Sequence, residues 1–124
     1  MRQRRGKLSL PIHGQEVSVP DTGQWHCPKC REVVLDFYQS RRLRGRALEI
    51  YRRKYRLLSP QEIRTLRERC GLTRPALARL LRLEAKVISR WESGRNVQTA
   101  SVDMLLRLLR DLPGSLSYLR KHAA

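Results

Sequence analysis

Residues 59–95 read SPQEIRTLRERCGLTRPALARLLRLEAKVISRWESGR, and their punctuation decides the fold. Ser59, Pro60 and Glu62 make a helix start: serine at the N-cap, proline at the first helical position, glutamate three after the cap. Ile63, Leu66 and Cys70 then share one helical face, and Gly71 is placed to stop the helix in a left-handed conformation. Thr73 caps a second helix, RPALARLL, with Pro75 in its first turn. RLE at 82–84 is a short turn. AKVISRWES is a third helix, ended by Gly94. Two helices joined by a tight turn, with a supporting helix on either side, form the helix-turn-helix layout. The apolar residues agree. Leu77, Ala78 and Leu81 on one helix, and Val87, Ile88 and Trp91 on the next, are the knobs that two crossed helices need. Ala78 is small where the two must approach. The outer face of the third helix is different: Lys86 and Arg90 are four apart and project side by side. Long donors near the N-terminal half are what a helix lying in a major groove requires.

Downstream, RNVQT is a loop, and Thr99 or Ser101 caps a fourth helix, SVDMLLRLLRDL. Pro113 and Gly114 break it, and SLSYLRKH adds a last helical turn or two. Leu105, Leu106, Leu108, Leu109 and Leu112 offer more apolar surface than one small bundle consumes. Upstream the texture changes. KLSLPIHGQEVSVP alternates apolar and polar residues, with Leu8, Leu10, Ile12, Val17 and Val19 on alternate positions. HGQ reads as a hairpin turn, PDTGQ as a second turn, and EVVL at 32–35 as a third short strand. Such a sheet is too small to stand alone unless metal staples it or something packs on it. From Asp36 the period is helical. Phe37, Leu43, Leu48, Ile50, Tyr51 and Tyr55 lie along an arginine-rich helix, expected to break near Gly45, which weakens its middle by about 1 kcal/mol. The expected organisation is therefore mainly α. A small β-rich module spans 1–35, a linker helix 36–57, and a helix-turn-helix DNA-binding and dimerisation domain 58–124.

Charge narrows the partners. The 124 residues carry 27 Lys and Arg against 11 Asp and Glu, a net +16. That excess points first to nucleic acid. Most of it is arginine, whose planar fork suits phosphate and guanine edges. The basic MRQRRGKLSL is followed by no apolar run of useful length, so no secretory leader is expected. No stretch is apolar enough to span a bilayer, and no membrane partner is expected. Three cysteines, one unpaired, suit a reducing cytoplasm. The sequence shows no paired carboxylates in a plausible pocket, no Gly-rich phosphate loop, and no Ser or Cys with an evident base. An enzyme is not expected. Non-specific RNA binding is disfavoured for want of an aromatic stacking platform.

LSPQEIRTLRERCGLTRPALARLLRLEAKVISRWESGRNVQTASVDMLLRLL, residues 58–109, resembles the Cro/C1-type (Xre) helix-turn-helix family along its whole length. LTRPALARLL followed by ISRWESGR is a specific signature. The upstream half, a β-rich knuckle ending in WHCPKCRE and then a short linker helix, looks like the MqsA-type antitoxins, YgiT-like zinc-finger/helix-turn-helix proteins. The resemblance runs from about Lys7 to Leu112. It implies roles by position. The two base-reading positions fall on Lys86 and Arg90, with guanine the favoured target because Lys86 stands where the family has an amide. Arg74 and Ser89 fall where such proteins touch phosphates, and Arg95 and Asn96 where they clamp the backbone. Glu92 would pair with Arg67 as a core ion pair that fixes how the recognition helix is presented. Two positions depart from the family. Arg82 stands where it usually has Gly, so a left-handed turn would cost roughly 1 kcal/mol and a rebuilt turn is the expectation. Glu84, in place of Ser, suits a helix N-terminus but repels a nearby phosphate.

Cys27 and Cys30 form one Cys-x-x-Cys pair, and the resemblance implies a second pair that this chain lacks. Three readings stay open. The site has degenerated and the thiols are small hydrophobes or a redox pair; or Cys27 and Cys30 recruit a ligand such as His13, His26 or a second chain; or the true start codon lies upstream. Degeneration ranks first. No cofactor is required for DNA binding, and Zn2+ at Cys27 and Cys30 is the one metal left open. Without metal, Trp25, Val17, Val19, Val33, Val34 and Leu35 are expected to hold the sheet.

The resemblance implies a sequence-specific DNA-binding repressor, the antitoxin of a type II toxin–antitoxin pair autoregulating its operon. It implies a homodimer on a palindromic operator in double-stranded DNA, a cognate toxin protein, and a bacterial cytoplasmic, nucleoid-associated location. The alternative is a stand-alone or phage-type Xre-family regulator without a toxin.

Overall fold

The computed structural model describes residues 2–30 and 32–123. Among them are three strands followed by six helices. The chain divides into two compact units, Met1–Lys54 and Tyr55–Ala124.

In the first unit, β1 (Arg2–Ile12) and β2 (Gln15–His26) form an antiparallel hairpin, and β3 (Val33–Val34) adds to the far side of β2. His13 and Gly14 make the turn at φ 48° and 77°. Two positive φ values in a two-residue loop match the strand twist, as expected at HGQ. PDTGQ is not a turn. The register runs Leu10↔Val17 and Leu8↔Val19, then resumes at Gly6↔Thr22 and continues to Arg2↔His26. Lys7 therefore faces both Pro20 and Asp21, and the strand absorbs the extra residue as a bulge. Asp21 takes φ 52° there. Arg5 holds it, Nε donating to Oδ1 at 2.8 Å and Nη2 to the backbone carbonyl at 3.0 Å. The bulge also shifts which residues point inward. Val17 and Val19 are buried before it, Thr22 and Gln24 after it. Both polar side chains are satisfied: Thr22 Oγ1 donates to the Val19 carbonyl and Gln24 Nε2 to that of Thr22.

The expected holding set is partly wrong. Val17 and Val19 are buried, and Trp25 and Leu35 half-buried, but Val33 and Val34 are exposed. A two-residue edge strand has nothing beyond it to cover its side chains. The unit's core comes instead from Ile12, Val17 and Val19 together with Leu43, Ala47, Leu48 and Tyr51 of α1 (Phe37–Tyr55). The α1 helix runs through Gly45 unbroken, contrary to expectation. One glycine costs less than the buried stripe on either side of it gains. The helix ends at Arg56, which is left-handed at φ 53°.

The second unit holds α2 (Pro60–Arg69), α3 (Arg74–Leu81), α4 (Ala85–Glu92), α5 (Ala100–Asp111) and α6 (Ser115–His122). The Ser59 capping box is complete: Glu62 N–H donates to Ser59 Oγ at 3.1 Å, and Ser59 N–H to Glu62 Oε1 at 3.1 Å. Thr73 and Thr99 cap α3 and α5 through their side-chain oxygens. The core gathers Leu58, Ile63, Leu66, Leu77, Ala78, Ile88, Trp91, Leu106 and Leu109. Leu81 and Val87 pack on its margin, half-buried.

A polar node fixes where this unit begins. Asp103 is buried in the first turn of α5. Its Oδ1 accepts from Leu58 N–H at 2.8 Å and Gln98 Nε2 at 3.0 Å, and its Oδ2 from Arg107 Nε at 2.8 Å. Gln98 Nε2 also donates to the Leu58 carbonyl at 2.9 Å. A buried carboxylate is tolerated when its lone pairs are met in this way.

Candidate nucleic-acid interface

The candidate interface is built on α4. Ile88 and Trp91 are buried, while Lys86, Ser89 and Arg90 are exposed on the opposite side. The tight turn before it works as a left-handed cap. Arg82 sits at φ 57°, ψ 44°, so the turn is not rebuilt, contrary to expectation. Leu83 N–H donates to the Ala78 carbonyl at 2.7 Å and Arg82 N–H to that of Arg79 at 3.1 Å. Those two bonds satisfy the last carbonyls of α3, which offsets the cost of a side chain in that region.

The presentation of α4 rests on Glu92. Its carboxylate is 2% exposed and receives both arms of Arg67, Nε at 2.7 Å and Nη2 at 3.0 Å. Arg67, whose side chain is 11% exposed, spends a further donor on the Leu72 carbonyl at 2.9 Å. The carboxylate beside it raises the Arg67 pKa, chiefly through that hydrogen bond. A forked pair of this kind is directional, so it locks the end of α4 to α2. Arg74 Nε adds a third contact to Glu92 at 3.3 Å.

An open groove of about 510 Å³ lies between the starts of α3 and α4. Arg67, Thr73, Arg74, Lys86 and Ser89 line it. Three of the six predicted contact residues thus meet in one place. Arg90 lies one turn along from Lys86 on the same exposed face. Arg95 is exposed in the loop after α4, and Asn96 is half-buried, its Oδ1 accepting from Val97 N–H at 2.8 Å. Lys86 Nζ lies 3.0 Å from Glu84, both side chains well exposed. The sequence reading missed this pair, although the two residues stand i, i+2 across a helix start.

The cysteine pair lies in the first unit. Cys27 N–H donates to the Glu32 carbonyl at 3.0 Å, closing the turn that carries Cys30. Hydrogen bonds from the Cys30 backbone and thiol, and from the Lys29 backbone, hold the Cys27 thiol below its ordinary pKa. His13 is at the hairpin tip and Cys27 at its open end, separated by roughly 40 Å of β2 at ~3.3 Å per residue. His13 instead meets the Tyr51 ring edge-on, centroids 5.7 Å apart, and His26 Nε2 lies 2.9 Å from Gln24 Oε1. Among the described residues no three His, Cys, Asp or Glu converge. The described residues therefore do not complete a tetrahedral zinc set.

The layout and its outward-facing donors define a class, the Xre-type helix-turn-helix proteins. Residues 1–120 match the family described as the antitoxin component of a bacterial toxin–antitoxin system, MqsA, and the chain belongs to that family. A curated relative, Antitoxin HigA-2 of Vibrio cholerae serotype O1, is 36% identical over 62 residues. That match covers 50% of this chain and 60% of the relative's length. No helix among the described residues is long and apolar enough to cross a membrane.

Proposed function

We propose that the protein is a sequence-specific DNA-binding repressor, the antitoxin of a type II pair that represses its own operon. The observation that carries this reading is the two-sidedness of α4, with Ile88 and Trp91 in the core and Lys86, Ser89 and Arg90 outside. In this reading α4 enters the major groove. Lys86 and Arg90 donate to guanine O6 and N7, Arg74 and Ser89 hold phosphates along the groove at the start of α3, and Arg95 and Asn96 grip the backbone beyond the helix. Lys86 exchanges Glu84 for a base edge, which is cheap because the pair is exposed. Glu92 remains with Arg67 and keeps α4 at a fixed angle.

The reading includes a homodimer joined through α5. Met104, Leu105, Leu108 and Leu112 are 59%, 39%, 45% and 54% exposed. Leu105, Leu108 and Leu112 line, with Tyr118 and Leu119 of α6, an apolar groove of about 370 Å³. A two-fold dimer matches a palindrome whose half-sites lie about 34–36 Å apart. The protein acts in the bacterial cytoplasm at the nucleoid, performs no catalysis and needs no cofactor to bind DNA.

The test is a footprint across the DNA upstream of its own gene, repeated at several salt concentrations. A protected palindrome, with affinity falling steeply as salt rises, is the expected result. Equal binding to all sequences with no protected site would sink the reading.

A further inference from the structure

Glu84 stands where a carboxylate is least expected. Arg74, Lys86, Arg90 and Arg95 make the surroundings of the exposed α4 face positive, and a bound duplex would bring rows of phosphates to it. Glu92, the carboxylate at the other end of α4, is buried and held by Arg67. Glu84 is neither. Its side chain is 71% exposed and makes no capping hydrogen bond to α4. Its contact is with Lys86, whose Nζ lies 3.0 Å from Glu84 Oε2.

Reading a base edge removes that contact. When Lys86 turns to guanine, the Glu84 carboxylate is left beside the groove without its cation, which is costly for a charge that also loses water. The major groove holds few donors to replace it. Guanine and thymine present acceptors there, and only the amino groups of cytosine (N4) and adenine (N6) donate. The spacing of the pair chooses between them. In a G·C pair, guanine O6 and cytosine N4 are joined by one hydrogen bond about 2.9 Å long. The two side-chain heads stand 3.0 Å apart. Lys86 on guanine O6 and N7 therefore leaves Glu84 within reach of the second N4 hydrogen of the same base pair. A T·A pair offers O4 and N6 in the same order, but it sets the thymine methyl where N7 was and an adenine N7 acceptor against the carboxylate. In C·G and A·T the order is reversed: the ammonium meets an amino donor and the carboxylate a carbonyl acceptor.

We propose that Glu84 is a specificity-determining residue. With Lys86 it reads one G·C pair, the lysine taking guanine O6 and N7 and the carboxylate accepting from cytosine N4. The inference rests on the repressor reading and deepens it. A lysine alone selects guanine, whereas the charge pair reads both members of the base pair and so fixes its orientation. The same carboxylate repels the backbone of any duplex that lacks the amino group at that place, which widens the gap between right and wrong sequences.

The experiment selects bound duplexes from a randomised pool with the full-length chain, with Glu84→Ser, which supplies a better helix cap, and with Lys86→Ala. Circular dichroism checks that each folds. Gel shifts then compare the duplex selected by wild type with copies in which the assigned G·C pair is inverted, replaced by T·A, or carries N4-methylcytosine, whose methyl group takes the groove-facing position on the amino nitrogen. Wild type should select a G·C pair in each half-site and lose roughly 10-fold or more on inversion and on methylation. Glu84→Ser should bind methylated and unmodified duplexes alike and, relieved of a negative charge, hold unrelated duplexes more tightly. Lys86→Ala should relax preference at the same base pair. A folded Glu84→Ser variant that keeps the wild-type motif and its sensitivity to N4-methylcytosine overturns the assignment and leaves the repressor reading standing. So does relaxation of two different base pairs by Glu84→Ser and Lys86→Ala. A wild-type chain that enriches no sequence overturns both.

Discussion

Arg82 holds a backbone conformation, φ 57° and ψ 44°, that glycine enters without steric cost. Arg82→Gly should raise thermal stability by up to about 1 kcal/mol, readable in denaturant melts, with α4 unmoved. In the proposed DNA-binding reading, the contact residues divide by what they would touch. Lys86→Ala or Arg90→Ala should cost roughly 1–3 kcal/mol in specific binding and relax preference at one base pair. Arg95→Ala should weaken all sequences alike and reduce the salt slope by about one. Gel shifts on matched and mismatched duplexes across a salt series separate the two behaviours, and a Lys86/Arg90 double alanine variant with full specificity would refute the assigned face. The helix caps were readable because their signals are local. Ser59 and Glu62 are three apart, as are Thr73 and Ala76, and the Arg67–Glu92 pair follows from the family pattern. Asp103 was not readable. Its backbone partner Leu58 is 45 positions away, and only the alignment of Asp103 with Leu106 on the buried stripe hints that it points inward.

Among the elements, α1 and the β-hairpin show where periodicity succeeds and where it stops. The HGQ turn was legible because two residues with positive φ need glycine and a tolerant neighbour. PDTGQ is also rich in turn-forming residues, yet it became a bulge: Arg5 clamps Asp21 while the strands continue to pair on both sides. Composition cannot tell one inserted residue from a chain reversal. Gly45 looked like a break for a similar reason. A methyl group added there would meet nothing within 4 Å, so Gly45→Ala should stabilise the first unit by roughly 0.5–1 kcal/mol in thermal melts. The start of α1 carries a pH dependence. The Gln39 backbone N–H, and then the Trp25 indole, hold the Asp36 carboxyl below its ordinary pKa. Its contribution is therefore complete at neutral pH and fades as pH falls from about 3.9 toward the folded value. Asp36→Asn, which keeps capping ability, should flatten the loss of thermal stability in that acid window. An unchanged slope would argue against Asp36 as its source.

Across the whole molecule, the helical half was nearly transparent in the sequence and the β half only in outline. Helices announce their ends with caps, whereas a three-stranded sheet depends on what packs against it. The apolar excess on α5 was legible as excess, and the structure leaves Leu105 and Leu108 partly in water. If α5 forms the proposed dimer seam, Leu105→Glu/Leu108→Glu should shift the protein to monomer in sedimentation equilibrium with its helicity intact. Operator affinity should then fall roughly 100-fold or more, because two half-sites are no longer linked. Dimer persistence in that variant would move the seam elsewhere. The Glu92 carboxylate has a consequence of its own. At 2% exposure it lies beyond the reach of mobile counterions, whereas Arg90 and Arg95 stand fully within it. Added salt should therefore act as a selective solvent for the complex. In the proposed reading it would strip the protein from its duplex while α4 stays aimed, so returning to low salt should restore occupancy without any refolding delay.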